Sequence, residues 1–160
     1  MQTVALAVMR LQPLHNGHKI LIDTMLREND LALIGIGSID KRDDRNPYSF
    51  ELRQQMARAL YGECAKLKLF GLIDINAPSK ERWAEFVLSE IERHSLPPPQ
   101  RYYAGSALDG SWFADRLEIR IVDRISVGRG ISATAARESG DTRDVPIEVL
   151  KIIKENYVSE

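Results

Sequence analysis

Short apolar runs alternate with amphipathic segments along the whole chain. The apolar runs predict five strands, at residues 4–9, 31–37, 67–73, 101–105 and 117–122. Between the strands, apolar residues recur at the spacing of a helix. This spacing predicts helices at 17–27, after a cap at Ser49, from a cap at Ser79 to near His94, around Trp112, and at 145–157. Such alternation of strands and helices is typical of βαβ units.

The predicted fold is therefore α/β: a Rossmann-like, doubly wound parallel sheet of about five strands with flanking helices. A length of 160 residues predicts a single domain over residues 1–160. In sheets of this kind, ligands bind at the carboxyl ends of the strands, where the strand order reverses. Several polar or small residues fall at or soon after the ends of predicted strands: His15, His18, Ser38, Asp74, Gly105 and the turn at Ser132. We expect them to share one edge of the sheet and one site.

The turn after the first strand has the chemistry of a polyphosphate site. His15 and His18 are three residues apart at the start of a helix, so both imidazoles lie near one face. The first N–H groups of that helix carry partial positive charge and favour an anion. Gly17 leaves room for a bound group to approach the backbone. The alternative is a tight turn with two surface histidines.

Two further segments offer groups for phosphate. Arg45 lies in a charged loop after Gly37 and Ser38, where its guanidinium can reach an anion. The alternative for the neighbouring residues 41–44 is a solvated run of charge. Near the carboxyl end, Ser132 is suited to cap a helix, Thr134 adds a hydroxyl in the first turn, and Arg137 lies one turn further on. Hydroxyls, N–H groups and a guanidinium at a helix start form a second phosphate cradle.

Three motifs resemble those of the nucleotidylyltransferase superfamily that shares His-x-Gly-His. They are Arg10-Leu11-Gln12-Pro13-Leu14-His15-Asn16-Gly17-His18, Asn46-Pro47-Tyr48-Ser49 through Arg53, and Ile131-Ser132-Ala133-Thr134 through Arg137. Within it, the first motif is most similar to the nicotinamide mononucleotide adenylyltransferases of the archaeal type. This chain departs from that group at Met9, where the group has glycine, and at Leu52, where it has an acid. Leu11 and Leu14 replace phenylalanines.

The resemblance implies that the 5′-phosphate of nicotinamide mononucleotide attacks the α-phosphorus of ATP, giving NAD and pyrophosphate, with Mg²⁺ carried in on ATP. It implies catalytic roles for His15, His18, Arg10, Arg45 and Arg137. The residues that it assigns to ATP are Gln12, Gly17, Ser38, Gly105, Ser132 and Thr134. Those that it assigns to the mononucleotide are Asp74, Asn76 and Trp83, whose ring would stack on the nicotinamide. Without the resemblance, a tryptophan on an apolar helix stripe such as Trp83 is more often a core residue than a platform for a ligand.

Two other functions remain open at this stage. One keeps the chemistry and changes the acceptor to phosphopantetheine, or pairs an alcohol phosphate with CTP. The other is a non-catalytic nucleotide sensor with the same fold. Arg10-x-Gln-Pro, the Asn46-Pro47 motif and Trp83 argue against the first. The intact His15, His18 and Arg137 argue against the second. The sequence leaves open whether the acceptor is the amide or the acid form of the mononucleotide.

Composition limits the classes of partner and the cellular compartment that we expect for this protein. A net charge of −1 argues against nucleic acid as the partner, since nucleic-acid-binding domains are usually basic. No stretch is apolar enough to span a membrane. The single cysteine, Cys64, cannot form an internal disulfide, which favours a reduced compartment, the cytoplasm. The resemblance further implies a homo-oligomer, and no protein metal site is predicted.

Overall fold

A computed structural model describes residues 2–123 and 143–158 of the chain. Its strands are β1 (Val4–Met9), β2 (Leu31–Ile36), β3 (Leu67–Gly71), β4 (Arg101–Ala104) and β5 (Glu118–Ile121). Its helices are α1 (Asn16–Glu28), α2 (Phe50–Tyr61), α3 (Lys80–Arg93), α4 (Ala107–Gly110) and α5 (Ile147–Val158), and a 3-10 turn at Ser111–Phe113 follows α4. The five predicted strands and the helices around them are therefore confirmed. The predicted helical region that begins at Ser132 lies outside the described residues.

The five strands form one parallel sheet in the order β3-β2-β1-β4-β5. The chain moves outward from β1 to β3, returns to the other side of β1, and continues to β5. The strand order therefore reverses between β1 and β4, as the prediction of a doubly wound sheet requires. The sheet is buried at its centre, and every residue of β2 is buried, which explains the continuous apolar run of that strand.

Alternation along the central strands divides the core into two layers. Ala5, Ala7 and Met9 of β1 pack with α1, α2 and α5 on one face of the sheet. Val4 and Leu6 pack with α3 and the 3-10 turn on the other face. Because side chains of a strand alternate between faces, one strand serves both layers. The result is an α/β/α sandwich whose helices enter from the carboxyl edge of the sheet.

Local capping chemistry sets where the helices begin. Ser49 accepts a hydrogen bond from the backbone N–H of Leu52, and Ser79 accepts one from Arg82, so both predicted caps are confirmed. Helix α2 ends at Gly62, whose φ of 61° is a left-handed conformation that glycine adopts without strain. Within the described part of the chain, no helix has the length and apolar character to cross a bilayer.

Candidate active site

A cavity of about 470 Å³ opens at the carboxyl ends of β1 and β4, where the strand order reverses. Its walls come from the β1–α1 turn, the first turns of α1, the N-terminal half of α3, and the segment from β4 to the 3-10 turn. Six residues predicted for the site line this cavity: Arg10, His15, Gly17, His18, Trp83 and Gly105. This volume lies in the ordinary range for sites of small ligands. The β1–α1 turn and the β4 turn, distant in sequence, thus form one site.

His15 and His18 cap helix α1 together. The Nδ1 atom of His15 accepts hydrogen bonds from the backbone N–H groups of Gly17, at 3.0 Å, and His18, at 3.3 Å. In return, the Nδ1 atom of His18 accepts one from the backbone N–H of His15, at 3.1 Å. This is a reciprocal capping box built from two imidazoles instead of the usual hydroxyl and carboxylate. The two rings stack with their centroids 3.7 Å apart and both are buried.

This arrangement fixes where the protons of the two rings lie. A ring nitrogen that accepts a hydrogen bond carries no proton, so each neutral imidazole has its proton on Nε2. Nε2 lies on the side of the ring away from the helix backbone, and both residues line the cavity. The pair therefore offers two N–H donors beside the positive end of α1. The predicted anion site at this helix start has a defined geometry.

Beneath the histidines, the β1–α1 turn is held by Gln12. Its side chain is fully buried. Its Nε2 donates to the carbonyl of Tyr48 at 3.1 Å, and its Oε1 accepts from the N–H of Tyr48 at 3.0 Å. Gln12 was predicted to bind ATP, yet it is not among the residues that line the cavity. Leu11, directly before it, has a φ of 56°, a strained left-handed conformation for a residue with a side chain.

The two predicted arginines of the phosphate site differ in their surroundings. Arg10 lines the cavity, and its Nη1 donates to Oδ1 of the buried Asn46 at 3.5 Å. Both side chains are exposed, but Arg45 lies in the adjoining loop, outside the cavity wall. Asp43 holds that loop by accepting from the backbone N–H groups of Arg45 and Asn46, at 2.9 Å each. The hydrogen bond from the Asn46 side chain is the main cause that lowers the pKa of Asp43.

Met9 and Leu52, where the chain departs from the group it resembles, both have a place in the structure. Met9 packs into the core beside α1 and also forms part of the cavity wall. With Leu52 in place of the acid, no carboxylate within residues 2–123 and 143–158 forms a salt bridge with Arg53. Arg53 is fully buried, and its guanidinium instead donates to backbone carbonyls. Burial is the main cause that lowers the pKa of Arg53 to about 10, so it stays charged at neutral pH.

Ser38, Asp74 and Asn76 were predicted at the site but do not line the cavity. Ser38 donates its hydroxyl to Oδ1 of Asp74 at 2.8 Å, which joins the ends of β2 and β3. The backbone N–H of Asp74 donates to Oδ1 of Asp40, and this bond is the main cause that lowers the pKa of Asp40. Asn76 lies in a shallow groove with Arg82 and Phe86 along the outer side of α3.

The opposite wall of the cavity is aromatic and more open. Trp83 of α3 and Trp112 of the 3-10 turn both line it. Trp112 is 39% exposed, and the Lys80 ammonium lies 5.8 Å from its ring centroid. Tyr102 stacks on Phe113 with ring centroids 4.3 Å apart, and burial raises the pKa of Tyr102 to about 12. These two rings form an apolar side of the cavity between the tryptophans and the histidine turn.

Trp112 and Asp109 are among the residues of the cavity wall that the sequence did not assign to the site. Trp112 appeared only as a marker of a short helix, and Asp109 was not considered at all, although both line the cavity. The preceding Ser106, whose hydroxyl accepts from the N–H of Asp109 at 3.2 Å, was the available signal for a helix start there. Three predicted residues, Ser132, Thr134 and Arg137, lie outside the described residues.

Within residues 2–123 and 143–158, no group of three or more His, Cys, Asp and Glu side chains could hold a metal ion. A divalent ion that keeps its waters and binds to substrate phosphates requires few protein ligands.

The chain is similar in sequence to archaeal enzymes. It is 31% identical to the nicotinamide-nucleotide adenylyltransferase of Methanocorpusculum labreanum over 157 residues, which cover 94% of this chain and 89% of that protein. The nicotinamide-nucleotide adenylyltransferase of Picrophilus torridus is also 31% identical, over 160 residues that cover 94% of this chain and 90% of that protein. No family model matches the chain.

Solved structures agree with the fold. A bifunctional NMN adenylyltransferase/ADP ribose pyrophosphatase from Francisella tularensis superposes with a TM-score of 0.73 at 20% identity, over 92% of this chain and 44% of that one. A NadR protein in complex with NAD and AMP-PNP superposes with a TM-score of 0.63 at 22% identity, over 88% of this chain and 43% of that one. The chain spans less than half the length of these two proteins. At these identities, the likeness is one of fold.

Proposed function

Since the chain belongs to the nicotinamide-nucleotide adenylyltransferases, we propose that its cavity joins the AMP moiety of ATP to nicotinamide mononucleotide. A 5′-phosphate oxygen of the mononucleotide attacks the α-phosphorus of ATP. The bond from the α-phosphorus to the bridging oxygen breaks, and pyrophosphate leaves with that electron pair. NAD is the product. The observation that carries this proposal is the pair of imidazoles that cap α1 and turn their Nε2 edges away from its backbone at the reversal of strand order.

The chemistry needs positioning and charge stabilisation rather than a covalent intermediate. His15 and His18 donate from Nε2 to phosphate oxygens as negative charge spreads in the transition state. Arg10 contributes a guanidinium from the cavity wall. Arg45 reaches the pyrophosphate portion from its exposed loop, and Arg137 with Ser132 and Thr134 completes the cradle on the evidence of their motif. A donor that is fixed before the reaction needs no reorganisation during it.

The other residues assigned to ATP divide into two groups. Gly17 and Gly105 line the cavity, so they contact the nucleotide through their backbones, Gly105 beneath the adenine. Gln12 and Ser38 support the site from below, because their polar atoms are hydrogen-bonded to Tyr48 and to Asp74. Their contribution to ATP binding is to hold the turns that follow β1 and β2.

The nicotinamide ring stacks on Trp83. This ring is a pyridinium with positive charge, and an indole face attracts such a ring. Trp112 is the less suitable face, because the Lys80 ammonium already lies near its ring. Asp74 and Asn76 both lie between β3 and α3, so they are assigned to the acceptor at longer range than Trp83.

Magnesium enters as the ATP complex, with phosphates and waters as its ligands. The Francisella tularensis structure complexed with AMP and a manganese ion supports a divalent ion beside a nucleotide in this fold. The cytoplasm is the proposed compartment, supported by the single free thiol of Cys64. A homo-oligomer stays a prediction, which light scattering of the purified chain tests.

One assay tests the proposed function. The wild-type protein is supplied with ATP and Mg²⁺ together with one acceptor at a time, and pyrophosphate release is followed. The acceptors are nicotinamide mononucleotide, its acid form and phosphopantetheine. We expect release with a pyridine mononucleotide and dinucleotide formation in equal amount. Release with phosphopantetheine alone would assign a different acceptor, and nucleotide binding without release would assign a sensor.

A further inference from the structure

The guanidinium of Arg53 is the most deeply buried charge of the described structure that the proposed chemistry does not use. The residue is 0% exposed and lies on the first turn of α2. Within residues 2–123 and 143–158, no carboxylate forms a salt bridge with it. Taking a charge out of water is costly unless its donors are hydrogen-bonded. The hydrogen bonds of the Arg53 guanidinium therefore offset the cost of burying its charge.

The hydrogen-bond partners of Arg53 among the described residues are all backbone carbonyls. Nη1 donates to the carbonyl oxygens of Arg10, at 2.8 Å, and Gly37, at 2.6 Å. Nη2 donates to Ser38 at 3.4 Å, and Nε donates to Ser49 at 3.2 Å. Arg10 directly follows β1, and Gly37 directly follows β2. One guanidinium thus joins the carboxyl ends of two neighbouring central strands to the start of α2.

Both strand ends that Arg53 joins have a strained backbone. Ser38, an acceptor, has a φ of 55°, and Leu11, which follows the acceptor Arg10, has a φ of 56°. A left-handed conformation costs a residue with a side chain on the order of 1–3 kcal/mol, and the surroundings must hold it in place. A lysine ammonium presents three donors from one point, whereas the planar guanidinium presents five donors in a fork. Only the fork reaches the four carbonyls together.

Arg10 is consequently held at two places. Arg53 binds its carbonyl, and Asn46 accepts a hydrogen bond from its guanidinium. We infer that Arg53 is a positioning residue for adenylyl transfer, which orients Arg10 toward the phosphates by fixing the backbone at the end of β1. This inference rests on the proposed function and on the role proposed there for Arg10. A displacement of about 1 Å at a reacting group can lower a rate by about 100-fold.

A double-mutant cycle tests this inference. Turnover is measured as NAD formed from ATP and nicotinamide mononucleotide for the wild type, Arg53→Lys, Arg10→Ala and the double variant. Calorimetry gives the dissociation constant of each for the mononucleotide. We expect Arg53→Lys to lower kcat by about 10- to 100-fold, with little change in mononucleotide affinity. In the Arg10→Ala background, the same substitution is expected to lower kcat by less than about threefold, because the residue it orients is gone.

Arg58→Lys is the matched control. Arg58 lies on the same helix but is exposed, so its substitution is expected to leave kcat unchanged. Arg53→Gln, which keeps two amide donors, serves as a second variant if Arg53→Lys does not fold.

Each other outcome overturns a specific statement. Equal losses in both backgrounds, or no loss in either, would overturn the positioning role. Failure of both Arg53 variants to fold would assign the residue to stability alone and would also overturn it. A wild-type protein that forms no NAD would overturn the proposed function itself. An active wild type with an equally active Arg10→Ala would overturn the role of Arg10, and with it the inference.

Discussion

The two sides of the cavity differ in how deeply their side chains are buried. The phosphate side is formed by the β1–α1 turn and the segments around α2 that support it. There the side chains of Gln12, His15, Asn46 and Arg53 are at most 6% exposed and hydrogen-bonded, whereas that of Arg10 is exposed. On the base side, formed by α3 and the segment from β4 to the 3-10 turn, Trp112 is 39% exposed. Trp83 is half-buried and Asp109 is exposed.

This difference follows from what each side is proposed to do. Phosphoryl groups change charge during the reaction, and donors stabilise that charge best when they are fixed in advance. An aromatic ring is recognised by a face, which tolerates small displacements. We therefore expect substitutions on the phosphate side to lower turnover strongly, and those on the base side to change affinity for one substrate moderately.

The largest expected effect is at His18. His18→Ala and His18→Gln both remove the Nε2 donor, so both are expected to lower kcat by about 10²- to 10³-fold. Only glutamine keeps an acceptor for the N–H of His15, as the third residue of a capping box does. We expect His18→Gln to keep more of the wild-type melting temperature than His18→Ala. Near-normal turnover in a folded variant, shown by circular dichroism, would remove His18 from the proposed chemistry.

A substitution at Arg45 tests whether its loop contributes to the reaction without contributing to stability. Arg45→Ala is expected to lower kcat/KM for ATP by about 10- to 150-fold, equivalent to about 1.5–3 kcal/mol for a hydrogen bond to a charged group. The melting temperature should hardly change, because the side chain is exposed. Arg42→Ala is the control, since Arg42 is an exposed arginine of the same loop. Equal kinetics in the two variants would mean that the loop is a solvated run of charge.

On the base side, Trp83→Leu is expected to weaken binding of nicotinamide mononucleotide by about 2- to 30-fold, equivalent to about 0.5–2 kcal/mol for a cation over an aromatic face. ATP affinity should change much less, because adenine is proposed to lie toward Gly105. Titration calorimetry with both ligands measures this selectivity. Trp112→Leu is the comparison, with a smaller expected change because of Lys80. Equal losses for ATP and mononucleotide in Trp83→Leu would make Trp83 a core residue only.

The smallest effect concerns stability at the helix start. His15→Ala removes the acceptor of two backbone N–H groups, so we expect the free energy of unfolding to fall by about 0.5–2 kcal/mol. His15→Ser is expected to restore most of that stability, since serine is a favourable cap, but not the turnover. Chemical denaturation and NAD formation, measured on both variants, separate the cap from the chemistry. Restored turnover in His15→Ser would show that the imidazole is needed only as a cap.

Much of the fold was predictable from local sequence. Strand and helix periods are properties of a few consecutive residues, so the five strands were found, and so were the caps at Ser49 and Ser79. The third strand was predicted to residue 73 but ends at Gly71, because apolar residues can continue past the last ladder bond. The sequence predicted a doubly wound sheet but not its strand order. That order depends on long-range pairing, such as that between Ala5 of β1 and Arg101 of β4.

In the site, too, local features were predictable from the sequence and long-range contacts were not. By itself, the sequence determined the turn chemistry of His15, Gly17 and His18, because capping and anion binding act within one helical turn. Only the tertiary structure decided that Gln12 pairs with Tyr48 and that Arg53 binds the carbonyl of Arg10, contacts that span 36 and 43 residues. A side chain's hydrogen-bond partner depends on which strand ends meet in space, and no local period encodes that.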